Sequence, residues 1–81
     1  MNTYKLSNVS VDEFRRFLCD AGCVMVSTEG GHEKWKKEGG MRSVIFQTHI
    51  NPVPEFIIRN NLRTLGLTRR DFIAWLKQGG R

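Results

Sequence analysis

Apolar residues near the start of the chain recur at the spacing of an α-helix. The segment Ser10-Val11-Asp12-Glu13 fits the S-x-x-E capping box, in which two side chains satisfy backbone N–H groups at a helix start. Gly22 favours the end of the helix, because glycine adopts the left-handed conformation that is common there. The pattern predicts a first helix over residues 11–21, with an apolar face formed by Phe14, Phe17, Leu18 and Ala21.

The spacing then changes to patterns that are typical of β-strands. Residues 23–26 form a short apolar run, which predicts a buried strand. Residues 32–37 alternate with a period of two, and residues 43–48 are rich in β-branched and aromatic side chains, so both segments predict strands. Two tight turns in succession predict an antiparallel meander. The turns are Glu29-Gly30-Gly31 and Glu38-Gly39-Gly40.

Two more helices are predicted in the last third of the chain. Residues 49–54 form a loop in which two prolines favour extended backbone before them, and Pro54 suits the start of the following helix. That helix ends at Gly66. The segment Thr68-Arg69-Arg70-Asp71 has the form of a capping box and begins a last helix that reaches Gln78.

These elements together predict an α+β fold in the order α-β-β-β-α, with an extra C-terminal helix. We expect one domain over residues 1–81, because a chain of 81 residues is short for two. The helices would pack on one face of a three-stranded antiparallel sheet and leave the other face to solvent or a partner. Trp35 and Trp75 are expected in the core.

The alternation within residues 32–37 predicts which way a histidine points. One face of this strand carries Glu33, Trp35 and Lys37, and the other carries His32, Lys34 and Lys36. Because a large apolar side chain faces the core, the second group faces outward. Imidazole groups titrate close to neutral pH, so they can accept a proton there. Lysines next to an imidazole can hold a phosphodiester and stabilise the charge that develops on it. In RNA the natural nucleophile for such a site is the 2′-hydroxyl. The alternative is an ordinary surface histidine on a hairpin.

The other polar residues give weaker signals. His49 lies either near the same site or simply on the proline loop. The carboxylates of Glu29, Glu33 and Glu38 do not form the paired pattern that acid–base catalysis uses. A basic helical surface or a solvated helix face would both explain Arg59, Arg63, Arg69 and Arg70.

The excess of positive charge lies in one part of the chain. The formal net charge is +5. Residues 1–28 carry three Lys/Arg and three Asp/Glu, whereas residues 29–81 carry ten and five. The whole excess therefore begins with the segment that contains His32. This distribution favours a polyanionic partner, either nucleic acid or an acidic protein, over a basic domain without such a partner.

The two cysteines favour a reducing compartment. Cys19 and Cys23 both have apolar sequence neighbours, so we expect reduced core residues rather than a disulfide, and no further Cys or His pair completes a zinc site. We expect no metal and no other cofactor. The N-terminal segment lacks the apolar stretch of a signal peptide, and no apolar run approaches the roughly 18 residues of a membrane span. These features predict a cytoplasmic protein.

The order of these features resembles the HicA family of bacterial toxins. That family shows a helix, a glycine and a strand, then a G-S-H motif followed by an aromatic residue. The corresponding segments here are Gly22-Cys23, Gly30-Gly31-His32 and Trp35. The family pattern LRxxLxxxGLxxxxF then resembles residues 57–72, which read IIRNNLRTLGLTRRDF. The resemblance covers roughly residues 6–72, and Gly31 stands where the family usually has serine.

The resemblance implies both a fold and a function. It implies the fold of a double-stranded-RNA-binding domain, and a metal-independent endoribonuclease that cleaves mRNA with one histidine, here His32. It also implies that the protein is the toxin of a type II toxin–antitoxin system, with a HicB-type antitoxin that covers the active face. Gly30 matches the functional glycine of the motif, and Glu33 would add negative charge directly after the histidine.

The RNA-binding residues expected on this hypothesis lie in one hairpin. They are Gly30, Gly31, Lys34, Lys36 and Lys37. Two alternatives remain at the level of the sequence. One is a noncatalytic double-stranded-RNA-binding module, and the other is a protein-interaction domain whose basic face meets an acidic partner.

Overall fold

Three helices and three strands follow one another in the order α-β-β-β-α-α. The computed structural model describes residues 6–40 and 42–79. The elements are α1 (Val11–Asp20), β1 (Cys23–Glu29), β2 (His32–Lys37), β3 (Ser43–Gln47), α2 (Glu55–Leu65) and α3 (Arg69–Lys77). The predicted α+β class and element order are confirmed. The longest of the helices has 11 residues, and none in the described part is long and apolar enough to cross a membrane.

The helix ends follow the capping residues of the sequence. Ser10 Oγ accepts a hydrogen bond from the Glu13 N–H at 3.0 Å, and the Glu13 carboxylate accepts one from the Ser10 N–H at 3.0 Å. Thr68 and Asp71 form the same reciprocal pair at 3.1 and 2.9 Å. Gly66 ends α2 with φ +74°. Both predicted capping boxes and the glycine stop are therefore confirmed, with each helix end within one residue of its predicted place.

The strands form an antiparallel sheet in the order β1-β2-β3, as the two short turns predict. Met25 pairs with Trp35, and Trp35 pairs with Val44 on the other side. The register of β1 shifts between Met25 and Ser27, so Val26 is an extra residue that forms a β-bulge.

The core lies between one face of the sheet and the three helices. Phe17 links α1 to α3 through edge-to-face contacts, with ring centroids 4.7 Å from Phe72 and 5.3 Å from Trp75. Phe14 meets Phe46 of β3 in the same way at 5.1 Å. The core positions of both tryptophans are confirmed, because Trp35 is 6% exposed and Trp75 is 8% exposed. The extra helix α3 therefore completes the core.

The prediction that β1 is a buried strand is wrong. Only Cys23 at its start is buried, whereas Val24, Met25 and Val26 are 60%, 50% and 53% exposed. Among the residues that the structure describes, β1 lies at an edge of the sheet and has a strand neighbour on one side only. A short apolar run has the same sequence signature in an edge strand and in a central one, and burial depends on which elements cover it.

The prediction that both cysteines are core residues is half correct. Cys23 is buried, and burial raises the pKa of its thiol above the usual range. Cys19 is exposed. It follows two buried residues of α1, Phe17 and Leu18, but each helical residue turns about 100° from the one before it. An apolar neighbour in sequence therefore does not place a helical residue on the apolar face.

The loop before α2 is attached to the beginning of α1. The Asn51 side-chain oxygen accepts a hydrogen bond from the Val11 N–H at 3.1 Å, and the Val53 N–H donates to the Val9 carbonyl at 2.8 Å. α2 begins directly after Pro54, as predicted. These contacts fix the loop against the chain segment that begins α1.

Candidate functional site

The outer face of the sheet, which the helices leave uncovered, carries the predicted histidine. His32, Lys34 and Lys36 are exposed, whereas Glu33 and Trp35 between them are buried at 6% exposure each. The alternation of β2 is therefore confirmed, and His32 points away from the core.

The neighbouring strands surround these three residues with a mixed set of side chains. In the register of the sheet His32 lies between Glu29 and Gln47, and Lys34 lies between Ser27 and Ile45. The two sequence-predicted lysines of the outer face are thus two and four residues along the same strand from the histidine. Lys37 is exposed at the end of β2, where it borders a shallow hollow together with Lys36. The predicted lysines therefore lie on one strand but do not all share one face.

Gln47 holds the ring of His32 through its side-chain amide. The Gln47 amide nitrogen lies 3.1 Å from His32 Nε2. An amide nitrogen can only donate, so in this orientation Nε2 accepts and a neutral ring carries its proton on Nδ1. Rotation of the amide by 180° would present its oxygen, which accepts from an Nε2–H and leaves Nδ1 as a free base. One side chain can therefore orient the imidazole in either neutral tautomer, and in the second orientation it also accepts from the protonated ring.

The turn before His32 depends on two glycines. Gly30 and Gly31 have φ values of +58° and +82°, and Glu29 pairs with His32 across them. Two-residue hairpin loops of type I′ need positive φ at both positions, which only glycine adopts without strain. The turn therefore fixes where β2 begins and which way its first side chain, His32, points.

The second histidine lies against this turn. Thr48 donates to the Gly31 carbonyl from its N–H at 2.8 Å and from its hydroxyl at 3.1 Å. These bonds place the next residue, His49, so close that a Cβ on Gly31 would lie 2.9 Å from His49 Nδ1. His49 was predicted to lie either near the site of His32 or simply on the proline loop, and in the structure it lies beside the turn that precedes His32. The side chain of a serine at position 31 would need the space that this imidazole fills.

Glu33 lies on the opposite face from His32, so its carboxylate does not add negative charge beside the histidine, and the carboxylate next to His32 in the register of the sheet is that of Glu29. Arg15 of α1 donates to both Glu33 carboxylate oxygens from Nε, at 3.0 and 3.1 Å, and Trp35 Nε1 donates at 3.0 Å. Burial by itself raises the pKa of this carboxyl, but the hydrogen bonds from Arg15 and Trp35 and the Arg15 charge outweigh it and lower the pKa below its usual value. The glutamate therefore joins β2 to α1.

A hollow opens next to His32, between β3 and the beginning of α2. Its volume is about 290 Å³. Its lining is mainly apolar and consists of His32, Ile45, Phe46, Gln47, Ile50, Val53, Pro54, Phe56 and Ile57. Asn61 of α2, which is buried, donates to the Ile45 carbonyl at 3.4 Å and so ties α2 to the free edge of β3.

Sequence reasoning missed Gln47, Ile45 and Phe56 as members of this site. A signal existed for the first two, because the buried Val44 and Phe46 alternate with them and so assign them to the outer face. No local pattern indicates Phe56, because its place beside β3 depends on the path of the loop.

The four helical arginines remain exposed, and Arg59 forms an ion pair with Glu55 at 3.5 Å. Within residues 6–40 and 42–79, no group of three His, Cys, Asp or Glu side chains could hold a metal ion.

Comparisons with known proteins identified no relative of the chain. No protein-family model matches it, and neither a curated protein nor a solved structure matches it. The likeness to HicA toxins thus consists of the order and spacing of residues within 6–72.

Proposed function

We propose that this protein is the toxin of a type II toxin–antitoxin system and that it cleaves mRNA, with His32 as the general acid–base residue. The observation that supports this proposal best is the exposed row of His32, Lys34 and Lys36 on the uncovered face of the sheet. A side chain that can take up and release a proton and cations that hold a phosphodiester both serve RNA cleavage by the neighbouring 2′-hydroxyl. The HicA-like spacing around Gly30-Gly31-His32 points to the same activity.

The proposed reaction needs one proton removed and one supplied. With the Gln47 amide oxygen turned to accept from Nε2–H, Nδ1 of the neutral His32 ring takes the proton of the 2′-hydroxyl, and the 2′-oxygen attacks phosphorus to form a 2′,3′-cyclic phosphate. The bond from phosphorus to the 5′-oxygen breaks, and that oxygen takes a proton from water or a lysine, or from His32 once it is protonated. Gln47, 3.1 Å from the ring, positions the imidazole and can turn its amide to match the tautomer.

The lysines would bind the phosphates of the RNA. Lys34 and Lys36 on the outer face, with Lys37 at the strand end, stabilise the charge that develops on the phosphate oxygens. Gly30 carries no side chain and has nothing within 4 Å of its Cβ position, so the RNA backbone can approach the turn closely there, whereas the His49 imidazole fills that space at Gly31. No metal and no cofactor take part in this scheme.

A HicB-type antitoxin would be the protein partner. It would cover the outer face and keep RNA away from His32, and toxin and antitoxin would both act in the cytoplasm. The fold would be that of a double-stranded-RNA-binding domain with an added helix, in agreement with the element order α-β-β-β-α-α.

The first test compares the parent protein with His32→Ala. We expect the parent to arrest growth on expression and to cleave RNA as a purified protein. The variant should lose about 100-fold or more of the cleavage rate, which is typical for loss of a general acid–base residue. Because His32 is exposed, the variant should unfold at the same temperature as the parent. Equal cleavage by the two proteins would show that His32 is not catalytic.

A noncatalytic double-stranded-RNA-binding module is the second candidate, and the element order favours it as much as the first. Such modules recognise duplex shape through phosphate and 2′-hydroxyl contacts. This candidate predicts tight binding of duplex RNA, recovery of the RNA intact, and little effect of His32→Ala on either.

A further inference from the structure

Three large apolar side chains are exposed around the hollow beside His32. Phe56 is 57% exposed, Ile45 is 49% exposed and Ile50 is 40% exposed. They come from three different parts of the chain, namely β3, the loop after it and the first turn of α2. The core does not use these surfaces, so their clustering needs another explanation.

The size of the hollow restricts what could fill it. Sites that enclose whole small molecules usually measure about 300–1,000 Å³. At about 290 Å³ this hollow is at the lower limit, which suits one flat ring system and not a helix or a long side-chain cluster. Phe56 supplies an aromatic surface at the rim, where a ring can stack.

The charges around the hollow restrict the occupant further. Lys34 is the direct neighbour of Ile45 across the strands, and His32 itself lines the hollow. A ring joined to an anionic group would therefore place the ring on Phe56 and the anion beside Lys34. A second copy of this chain is disfavoured, because its net charge is also +5.

We propose that the hollow is a nucleobase subsite. The base next to the phosphodiester at His32 stacks on Phe56, and Ile45 and Ile50 cover its edges. This inference rests on the proposed function for the position of the phosphodiester. Because the polar lining residues are His32 and Gln47, which contact each other, the hollow holds a base mainly by stacking and has little preference among the four bases.

The test measures binding of a 2′-O-methyl oligoribonucleotide, which lacks the attacking hydroxyl and stays intact. A matched oligonucleotide is abasic at every position, so the comparison does not depend on the register in which the strand binds. For the parent protein, the loss of the bases should weaken binding about tenfold, which is within the range found when a base loses an aromatic partner. In Phe56→Ala this penalty should disappear, because the stacking surface is already gone.

Two control variants separate stacking from other effects. Val24→Ala removes an exposed apolar side chain of β1 that does not line the hollow, and it should leave the abasic penalty at its parental value. Lys34→Ala should weaken binding of both oligonucleotides by the same factor. As a direct measurement, a nucleoside 5′-monophosphate should shift the methyl resonances of Ile45 and Ile50, and ribose 5-phosphate should not.

Two results would overturn the subsite. One is an abasic penalty in Phe56→Ala as large as that in the parent protein. The other is a change in sedimentation of Phe56→Ala without any base-dependent binding, which would identify the hollow as a contact between copies of the chain. Neither result depends on cleavage, so the subsite and the catalytic role of His32 can fail separately.

Discussion

At the scale of single residues, the sequence predicts the orientation of His32 but not the contacts of Gly31. The direction of His32 could be predicted, because it lies three residues before Trp35, and an odd spacing in a strand places it on the face opposite a tryptophan that must be buried. The surroundings of Gly31 could not, because the group that touches it, His49, is 18 residues away in sequence and reaches it only through the Thr48 hydrogen bonds. Contacts of this kind leave no periodic signal.

The two glycines of the turn allow a matched comparison of backbone strain with steric contact. A Cβ on Gly30 would have nothing within 4 Å, whereas one on Gly31 would lie 2.9 Å from His49 Nδ1. We expect Gly30→Ala to lower the free energy of unfolding by about 1–2 kcal/mol, the cost of a left-handed conformation for a residue with a Cβ. Gly31→Ala should cost more than Gly30→Ala, as measured by urea unfolding.

The control removes the steric contact alone. In a His49→Ala background the two glycine variants should become equally destabilised, because only the backbone strain remains. If Gly31→Ala costs the same as Gly30→Ala when His49 is present, the imidazole moves aside freely. In that case, contact with His49 does not explain why position 31 is a glycine.

At the scale of elements, the sequence predicted where helices begin and end more accurately than it predicted which strands are buried. Ser10 and Thr68 begin helices because their side chains bond N–H groups only three residues away, so the signal is local. β1 was misjudged because an apolar run of four residues does not tell whether a helix covers the strand. Which strand lies at an edge is decided by the packing of the whole sheet, and no short segment contains that information.

The ion pair between Arg15 and Glu33 joins α1 to β2 and should make the stability depend on pH. Because the folded protein lowers the pKa of Glu33 from its ordinary value of 4.5, the stabilising contribution is complete above that value. It is lost as the pH falls through the lowered pKa. We expect Glu33→Gln to reduce the free energy of unfolding by about 2 kcal/mol at pH 7. This is less than for a fully buried pair, because the Arg15 side chain is 38% exposed.

Urea unfolding at pH 7 and at pH 3 measures this difference. The gap between the parent and Glu33→Gln should shrink at pH 3, which is below the ordinary pKa of 4.5, because the carboxyl of the unfolded chain then binds a proton. Asp12→Asn is the matched control, because Asp12 binds the same arginine at 2.9 Å but is 79% exposed. It should change the stability by less than about 1 kcal/mol at either pH. A gap that stays constant with pH would show that the charge of Glu33 does not stabilise the fold.

At the scale of the whole molecule, positive charge and open surface coincide. The chain has a net charge of +5, and the sheet face that the helices leave uncovered carries Lys34 and Lys36. The layered arrangement could be predicted from the order of elements, since helices can bury only one side of so small a sheet. The hollow beside His32 could not, because β3, the loop and α2 form it together.

If the outer face binds single-stranded RNA, the salt dependence of binding should identify the lysines involved. Each phosphate contact contributes about −0.7 to the slope of log affinity against log salt concentration for single strands. Lys34→Ala should make the slope less steep by about that amount. Arg63→Ala, which removes an exposed cation of α2, is the control and should leave the slope unchanged. Equal changes in both variants would show that the RNA has no fixed path over the sheet.

The bulge at Val26 has a consequence for the solubility of the protein. β1 presents exposed valine and methionine side chains along an open edge, the kind of surface onto which a strand of another molecule can add. The extra residue interrupts the regular ladder halfway along that edge, so an added strand cannot stay in register over the length of β1. We therefore expect this single inserted residue to oppose the addition of a further strand at the apolar edge.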